Sequence, residues 1–360
     1  MSVNVYLNPV GMTGPQSASD AALPLAGGGL RFSACEVSRR SLESPADVSR
    51  GVLAIPELAA VEGAQAWLER LTAPRGVLAG LAMDRPRVMG VVNITPDSFS
   101  DGGARFDKNR AIEDGLAMWE AGAEILDLGG ESTRPGAEPV PIEEEQRRVL
   151  PVVRALAGQG CRVSIDTRNA ATMRAAVEAG AAIINDVTAL TSDADSLATA
   201  ADAGVPVILM HMQGTPQTMQ KNPRYDDAAL DVFDFLADRV AACESAGIAR
   251  ERIVVDPGVG FGKTLQHNLE VMDRLALYQG LGCPVLLGVS RKSMLGRISR
   301  GEPAQERLPA SLAAALAGAQ RGAQILRVHD VPETRQALAL WQAVTFARAP
   351  GPASGAPATG

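Results

Sequence analysis

Apolar runs recur along this chain at a nearly even spacing, and most are followed by a segment whose apolar positions repeat at helical intervals. The runs lie at 87–92, 124–129, 162–166, 182–187, 205–211, 252–256, 284–289 and 324–328. Within them consecutive positions are apolar, the mark of strands covered on both faces and not of strands with one wet side. Helical spacing predicts helices over 109–121, 142–156, 170–179, 226–245, 265–278 and 304–321, and a last one over 331–346 follows the eighth run. Eight strands alternating with helices predict the α/β class and a (β/α)8 TIM barrel over residues 87–346, close to the ~250 residues of a typical barrel. A doubly wound open sheet is the competing fold. It usually has fewer strands, and no GxGxxG follows the first strand here.

The ends read differently. Residues 1–86 form an N-terminal extension that looks partly irregular, with a Gly/Pro/Ser/Ala-rich, mobile-looking stretch at 9–30, a short strand near 30–37 and helical spacing over 56–71. Residues 347–360 read as a disordered Pro/Ala/Gly-rich tail.

Polar groups concentrate where the predicted strands end: Asn93, Ser132 to Arg134, Asp166, Asn185, His211, Asp256, Ser290 to Lys292, and Arg327 to His329. In a closed barrel these ends meet on one face, the place where barrel enzymes hold their sites. The result is an enzyme-like pocket of cations, carboxylates and amides. Arg327 and His329 stand two apart and share a side of their strand, which suits an anion such as a diphosphate; an ordinary salt bridge at a helix start is the alternative. Asp166 also fits a helix cap. Asp256 fits one less well, because Pro257 and a glycine-rich turn follow it. Lys292 reads alone as a solvated charge, and Met210 and Phe261 as core. Asp127, between apolar neighbours, needs a partner and reads as core support or as an organiser of nearby loops. His211 is open between a pocket role and a structural hydrogen bond. The 258–263 stretch GVGFGK lacks Walker spacing.

Composition removes several classes. A formal net charge of −7 argues against a general nucleic-acid surface. No apolar run approaches the ~20 residues of a membrane span, and no basic segment followed by an apolar core opens the chain. The four cysteines lie far apart and the three histidines do not cluster, so reduced thiols in a cytoplasmic protein are expected and a zinc site is not. No GxSxG elbow or paired Cys/His marks an activated nucleophile.

Two longer segments carry more. Residues 88–103, VMGVVNITPDSFSDGG, and 124–137, EILDLGGESTRPGA, each join a buried strand to a loop dense in polar residues and glycine. Together they closely resemble the two signature segments of the dihydropteroate synthase family. The resemblance continues through 164–167, 211–214, 256–262, 290–293 and 327–330, and spans about 87–346 without the first eighty or so residues. It implies condensation of 6-hydroxymethyl-7,8-dihydropterin diphosphate with p-aminobenzoate in folate biosynthesis, through SN1-like loss of diphosphate. By the same resemblance Asn93, Arg327 and His329 bind the diphosphate, Asn93 also helps hold Mg²⁺, and Lys292 lies beside the pterin ring. Asp166, Asn185 and Asp256 line the pterin pocket, with Met210 and Phe261 as apolar walls. Phe99, Ser132, Thr133, Arg134, Pro135 and Ser293 serve p-aminobenzoate, and Asp101 is an acidic loop residue near the reacting carbon. Homodimers and sulfonamide inhibition are further implications. The rivals are a pterin-binding methyltransferase sharing the barrel and an inactive paralogue kept as a partner subunit.

Overall fold

The computed structural model describes residues 3–94, 104–132 and 138–347. Its centre is a parallel barrel of β8 (Arg87–Asn93), β9 (Ile125–Gly129), β10 (Val163–Asp166), β11 (Ile183–Asp186), β12 (Val207–Met210), β13 (Ile253–Asp256), β14 (Leu286–Gly288) and β15 (Ile325–Val328). Each strand pairs with the next, β15 pairs with β8, and a bridge between Val255 and Val285 closes the ring at β13 and β14. Around it stand α2 (Ala104–Glu120), α3 (Ile142–Gly158), α4 (Ala170–Glu178), α5 (Ser196–Ala203), α6 (Ala228–Ser245), α7 (Leu265–Asp273), α8 (Ser293–Ile298), α9 (Leu308–Gln320) and α10 (Val331–Phe346). The predicted (β/α)8 barrel is therefore the fold. Two helical details differ from the sequence reading. α5 was not delimited, and the predicted 265–278 helix stops at Asp273 and continues as a 3-10 turn, Leu275–Leu281. That turn is buried on every side, so it shows no amphipathic period to read.

Strand parity divides the barrel into an apolar outside and a stratified inside. Alternate residues such as Leu126, Leu128, Ile165, Ile184, Leu209, Val255 and Leu326 face the helices. Met89, Ile125, Ile183, Ile208, Val254, Leu286 and Ile325 point inward and form one apolar layer. Below them a hairpin of β6 (Val77–Leu78) and β7 (Leu81–Ala82) inserts Leu78, Leu81 and Met83 and stops the lower end. Two residues further along each strand the inward positions are Val91, Asp127, Asn185, Met210, Asp256 and Arg327. A dry floor thus lies directly beneath a polar layer.

The first eighty residues are folded against the barrel. β1 (Val3–Val10), β4 (Ala34–Ser41) and β5 (Val48–Ala54) make an antiparallel sheet, with a small hairpin of β2 (Leu23–Pro24) and β3 (Arg31–Phe32) beside it. The strand expected near 30–37 appears as β3 and β4. The helical spacing over 56–71 becomes a 3-10 turn, Ile55–Ala60, and α1 (Ala64–Thr72). The stretch read as mobile at 9–30 has fixed partners: Thr13 and Arg31 exchange backbone hydrogen bonds, and Ala22, Leu25, Ala26 and Leu30 are buried. Small residues let it lie close to its neighbours, which hides its burial from a hydrophobicity pattern. Trp67 of α1 stacks on Phe233 of α6 with ring centroids 5.1 Å apart, and Tyr6 donates to both carboxylate oxygens of Asp234 at 3.0 Å. Arg40 reaches Asp231 at 2.5 Å, and Arg50 and Arg274 converge on the buried Asp227, the N-cap of α6. Among the described residues no helix is long and apolar enough to cross a membrane.

Because extension and barrel share this aromatic seam, they should unfold together. Trp67→Ala should lower stability by ~3–5 kcal/mol, the usual cost of deleting a large buried aromatic. Denaturant titration of the wild type, followed by circular dichroism and by tryptophan fluorescence, should give coincident transitions; an early separate transition of the extension would contradict this.

Candidate active site

Parity places the predicted residues together. Asp166, Asn185, Met210, Asp256 and Arg327 all face the inside of the barrel at its C-terminal end, with Asn93 at the end of β8 beside Gly129. Arg327 is the hub. Its Nε donates to Asp127 Oδ2 at 2.6 Å and its Nη2 to Asp166 Oδ2 at 2.9 Å. Burial disfavours the guanidinium charge, yet Asp127 and Asp166 outweigh burial and hold its pKa above the ordinary arginine value. Asp166 is raised as well, but for an acid that disfavours its charge. Burial, then the charge of Asp127, pushes it above the usual carboxylate range, and Arg327 opposes them. Asp166 does not cap a helix: α4 starts at Ala170, whose N–H is taken by Asp193 at 2.8 Å.

Across the mouth a second group forms around the turn after β13. Asp256 accepts from the N–H of Gly258 at 2.8 Å, and burial raises its pKa against the pull of Lys292. The Lys292 ammonium donates to the carbonyl of Val259 and lies 4.6 Å from the centre of the Phe261 ring. Burial pushes its pKa down to about 8, Asp256 working against the fall. Lys292 is aimed there by Arg291, a non-glycine residue at φ +60°. Three bonds hold that conformation: Arg291 N–H to Ser311 at 2.9 Å, the Arg291–Asp330 ion pair, and Arg307 to the Arg291 carbonyl at 2.9 Å. Ser290 meets His329 Nδ1 at 3.1 Å, tying the ends of β14 and β15 together. Ser293 is exposed as the first residue of α8, and Ser132 follows β9 half-buried.

Two groups have roles the sequence did not disclose. Lys263 is buried, and its ammonium lies 2.8 Å from His211 Nδ1, 2.9 Å from the Gly258 carbonyl and 3.1 Å from that of Phe261. His211 is therefore a structural partner of a lysine. Burial, then Lys263, lowers its pKa well below the ordinary histidine value, so it accepts from Lys263 as the neutral ring. The pair pins the glycine turn. At Gly258, φ +66°, a side chain would meet the carbonyl of His211 at 1.9 Å, so only glycine fits. Adjacency of β12 and β13 was the available signal, since it puts the residues after both strands side by side. Asp127, anticipated as core support, bonds two pocket residues at once: its Oδ2 also accepts from Asn185 Nδ2 at 3.1 Å. The readings of Phe99, Asp101, Thr133, Arg134 and Pro135 lie outside the described residues.

Among the described residues no group of three or more His, Cys, Asp or Glu side chains is placed to hold a metal ion. The arrangement suits a flat, hydrogen-bonding ring held between carboxylates and an amide, with cations at its edge.

Comparison with known proteins agrees with this geometry. Residues 89–329 match the family model described as pterin binding enzyme. Dihydropteroate synthase of Escherichia coli K12 is 47% identical over 269 residues, covering 74% of this chain and 95% of the relative. Among solved structures, Xanthomonas albilineans dihydropteroate synthase with 4-aminobenzoic acid has a TM-score of 0.71 at 50% identity, over 75% of this chain and 98% of that one. The same enzyme in complex with 7,8-dihydropteroate gives a TM-score of 0.68 at 47% identity, over 75% and 98%. A fold, a pocket and relatives matched along nearly their whole length converge: the chain belongs to the pterin-binding enzymes and, within them, to the dihydropteroate synthase family.

Proposed function

We propose that this enzyme condenses 6-hydroxymethyl-7,8-dihydropterin diphosphate with p-aminobenzoate, giving 7,8-dihydropteroate and diphosphate for folate synthesis. The observation that carries the reading is the buried set Asp166, Asn185 and Asp256, with half-buried Lys292, around the arginine-bearing mouth, in a chain 47% identical to a dihydropteroate synthase. An aminopyrimidinone edge offers N–H donors beside a carbonyl acceptor. Buried carboxylates and an amide meet that pattern, and leaving such an edge unpaired would cost about 1–3 kcal/mol per group. Met210 and Phe261 pack as apolar walls. Asn93, Arg327 and His329 face the diphosphate.

In this reading the leaving group departs first. Loss of diphosphate breaks the CH₂–O bond and leaves a cation delocalised into the pterin ring. Arg327 and His329 stabilise the charge gathering on the leaving oxygens. The loop residues Phe99, Asp101, Ser132, Thr133, Arg134 and Pro135, with Ser293 toward the carboxylate, hold p-aminobenzoate so that its amine attacks the exposed carbon. The same loops keep water from that carbon. Mg²⁺ fits the donor set: Asn93 offers one hard oxygen, and this ion takes few protein ligands when phosphate oxygens and water complete its shell. When bound it would neutralise charge on the diphosphate. A homodimer in the cytoplasm, with all four cysteines buried as free thiols, completes the proposal.

Purified protein given the pterin diphosphate and Mg²⁺ should release diphosphate only when p-aminobenzoate is present, with dihydropteroate as product and sulfonamides as competitors of p-aminobenzoate. Tight pterin binding with no release in either mixture would favour the methyltransferase or the inactive paralogue. Arg327→Ala should lower kcat by about 10²–10³-fold, the scale of losing one preorganised charge-stabilising group; unchanged turnover would remove its leaving-group role. The Lys292 pKa of about 8 sets a pH dependence. As pH climbs through about 8, Lys292 loses its proton, so kcat/KM for the pterin should fall. Lys292→Arg, which stays charged, should abolish that limb. Stability carries the opposite sign, because a lysine depressed in the folded state opposes folding below its folded pKa and less so above it.

A further inference from the structure

We infer that Asp127 is a positioning residue for this reaction, fixing both which end of the Asn185 amide faces the pterin and which end of the Arg327 fork is left for ligand. The inference rests on the synthase reading and deepens it.

Asp127 lies in the middle of β9, between Leu126 and Leu128, which face the helices. Its side chain is 0% exposed, two residues beyond Ile125 in the apolar floor. A carboxylate there is costly to desolvate, and an apolar residue of similar size would satisfy packing more simply. What it does is accept. Oδ2 receives Arg327 Nε at 2.6 Å and Asn185 Nδ2 at 3.1 Å, while Oδ1 is buried with no side-chain or backbone donor in reach.

Oδ2, the oxygen that accepts from Arg327 Nε, offers Asn185 only an acceptor, so the NH₂ end of the amide is the one that meets it. That choice turns the amide oxygen of Asn185 away from Asp127 and toward the pocket, where it accepts from a ring N–H. Without an acceptor at 127 the amide could rotate by half a turn at little steric cost. A donor would then stand where the pterin needs an acceptor. Arg327 is constrained in the same way. Its Nε and Nη2 form one edge of the guanidinium, and two different carboxylates, Asp127 and Asp166, hold that edge. The end bearing Nη1 is thereby the part presented to a bound anion. One buried group thus sets the hydrogen-bonding polarity of one site residue and the aim of another, without touching substrate.

Two variants of similar volume separate positioning from packing. Asp127→Asn keeps an oxygen that accepts from both neighbours, whereas Asp127→Leu keeps the bulk and removes the acceptor. kcat, KM for each substrate and calorimetric binding of 6-hydroxymethyl-7,8-dihydropterin are measured for wild type and both variants. Asp127→Asn should stay within about threefold of wild type in pterin affinity. Asp127→Leu should lose at least about tenfold in pterin affinity and in kcat, the scale of a charge-assisted bond, with KM for p-aminobenzoate little changed. Two intact variants would overturn the inference in favour of a packing role, and two impaired ones would overturn it in favour of the carboxylate's charge, since Asp127→Asn preserves the shape. If Asp127→Leu does not fold, Asp127→Ser takes its place, because the shorter hydroxyl cannot span both donors, and the same comparison decides. A wild type that binds pterin without making dihydropteroate would overturn the synthase reading while the binding comparison still judges Asp127. A wild type that binds no pterin would overturn both.

Discussion

Arg327, half-buried at the pocket, sits between the buried carboxylates of Asp127 and Asp166, with the apolar floor beneath them. Two carboxylates side by side in such a place repel strongly, and a lone guanidinium there would be equally costly. Each charge is tolerable because the others are present, so the three form one unit whose removal in part is worse than its removal whole. The rest of the pocket follows from it. Asn185 is bound to one of the carboxylates, and Arg327 also contributes to the charge balance felt by Asp256 and Lys292. The hairpin below the floor has a matching role: by keeping water out from beneath, it preserves the low polarizability that makes these charge contacts strong.

A second buried unit, Lys263 with His211, works by backbone and not by charge pairing. Its ammonium gathers two carbonyls of the glycine turn after β13 and leaves the next carbonyl, that of Val259, to Lys292. The turn therefore carries information in both directions, from a hidden lysine to an active-site one. Tyr225, which donates to the Gly262 carbonyl at 2.7 Å, extends this to the segment leading into α6.

Much of the barrel was legible because a strand buried on both faces writes an unbroken apolar run, and eight of them were visible. α5 was not, since its sequence SLATAADA is too poor in large apolar residues to show a period. The extension was read as loosely organised because its docking depends on a few aromatic residues and on arginines that meet acids more than 170 residues away, as Arg50 meets Asp227. Pairing over that distance leaves no local trace. For the site, residue type at a strand end was enough to single out Asp166, Asn185, Asp256, Lys292 and Arg327. What they bind inside the protein was not readable, because Arg327 and Asp127 are neighbours only after β15 and β9 have both paired with β8. Lys263 drew no reading beyond the absent Walker spacing, because it meets His211 only once β12 and β13 have paired.

The extension also has a consequence for how the chain comes into being. It leaves the ribosome before the barrel, yet the surface it covers is made much later: Tyr6 closes on Asp234 across 228 positions, and the aromatic seam waits for Phe233 and Tyr278. Until α6 has been synthesised, the sheet of β1, β4 and β5 carries an uncovered apolar face between its edge strands β1 and β5. Contacts of such long span form slowly, and exposed apolar strands are where nascent chains stick to one another. From the emergence of β5 to that of α6 the growing chain therefore exposes apolar surface, and a risk of self-association, that a barrel beginning at β8 would not carry.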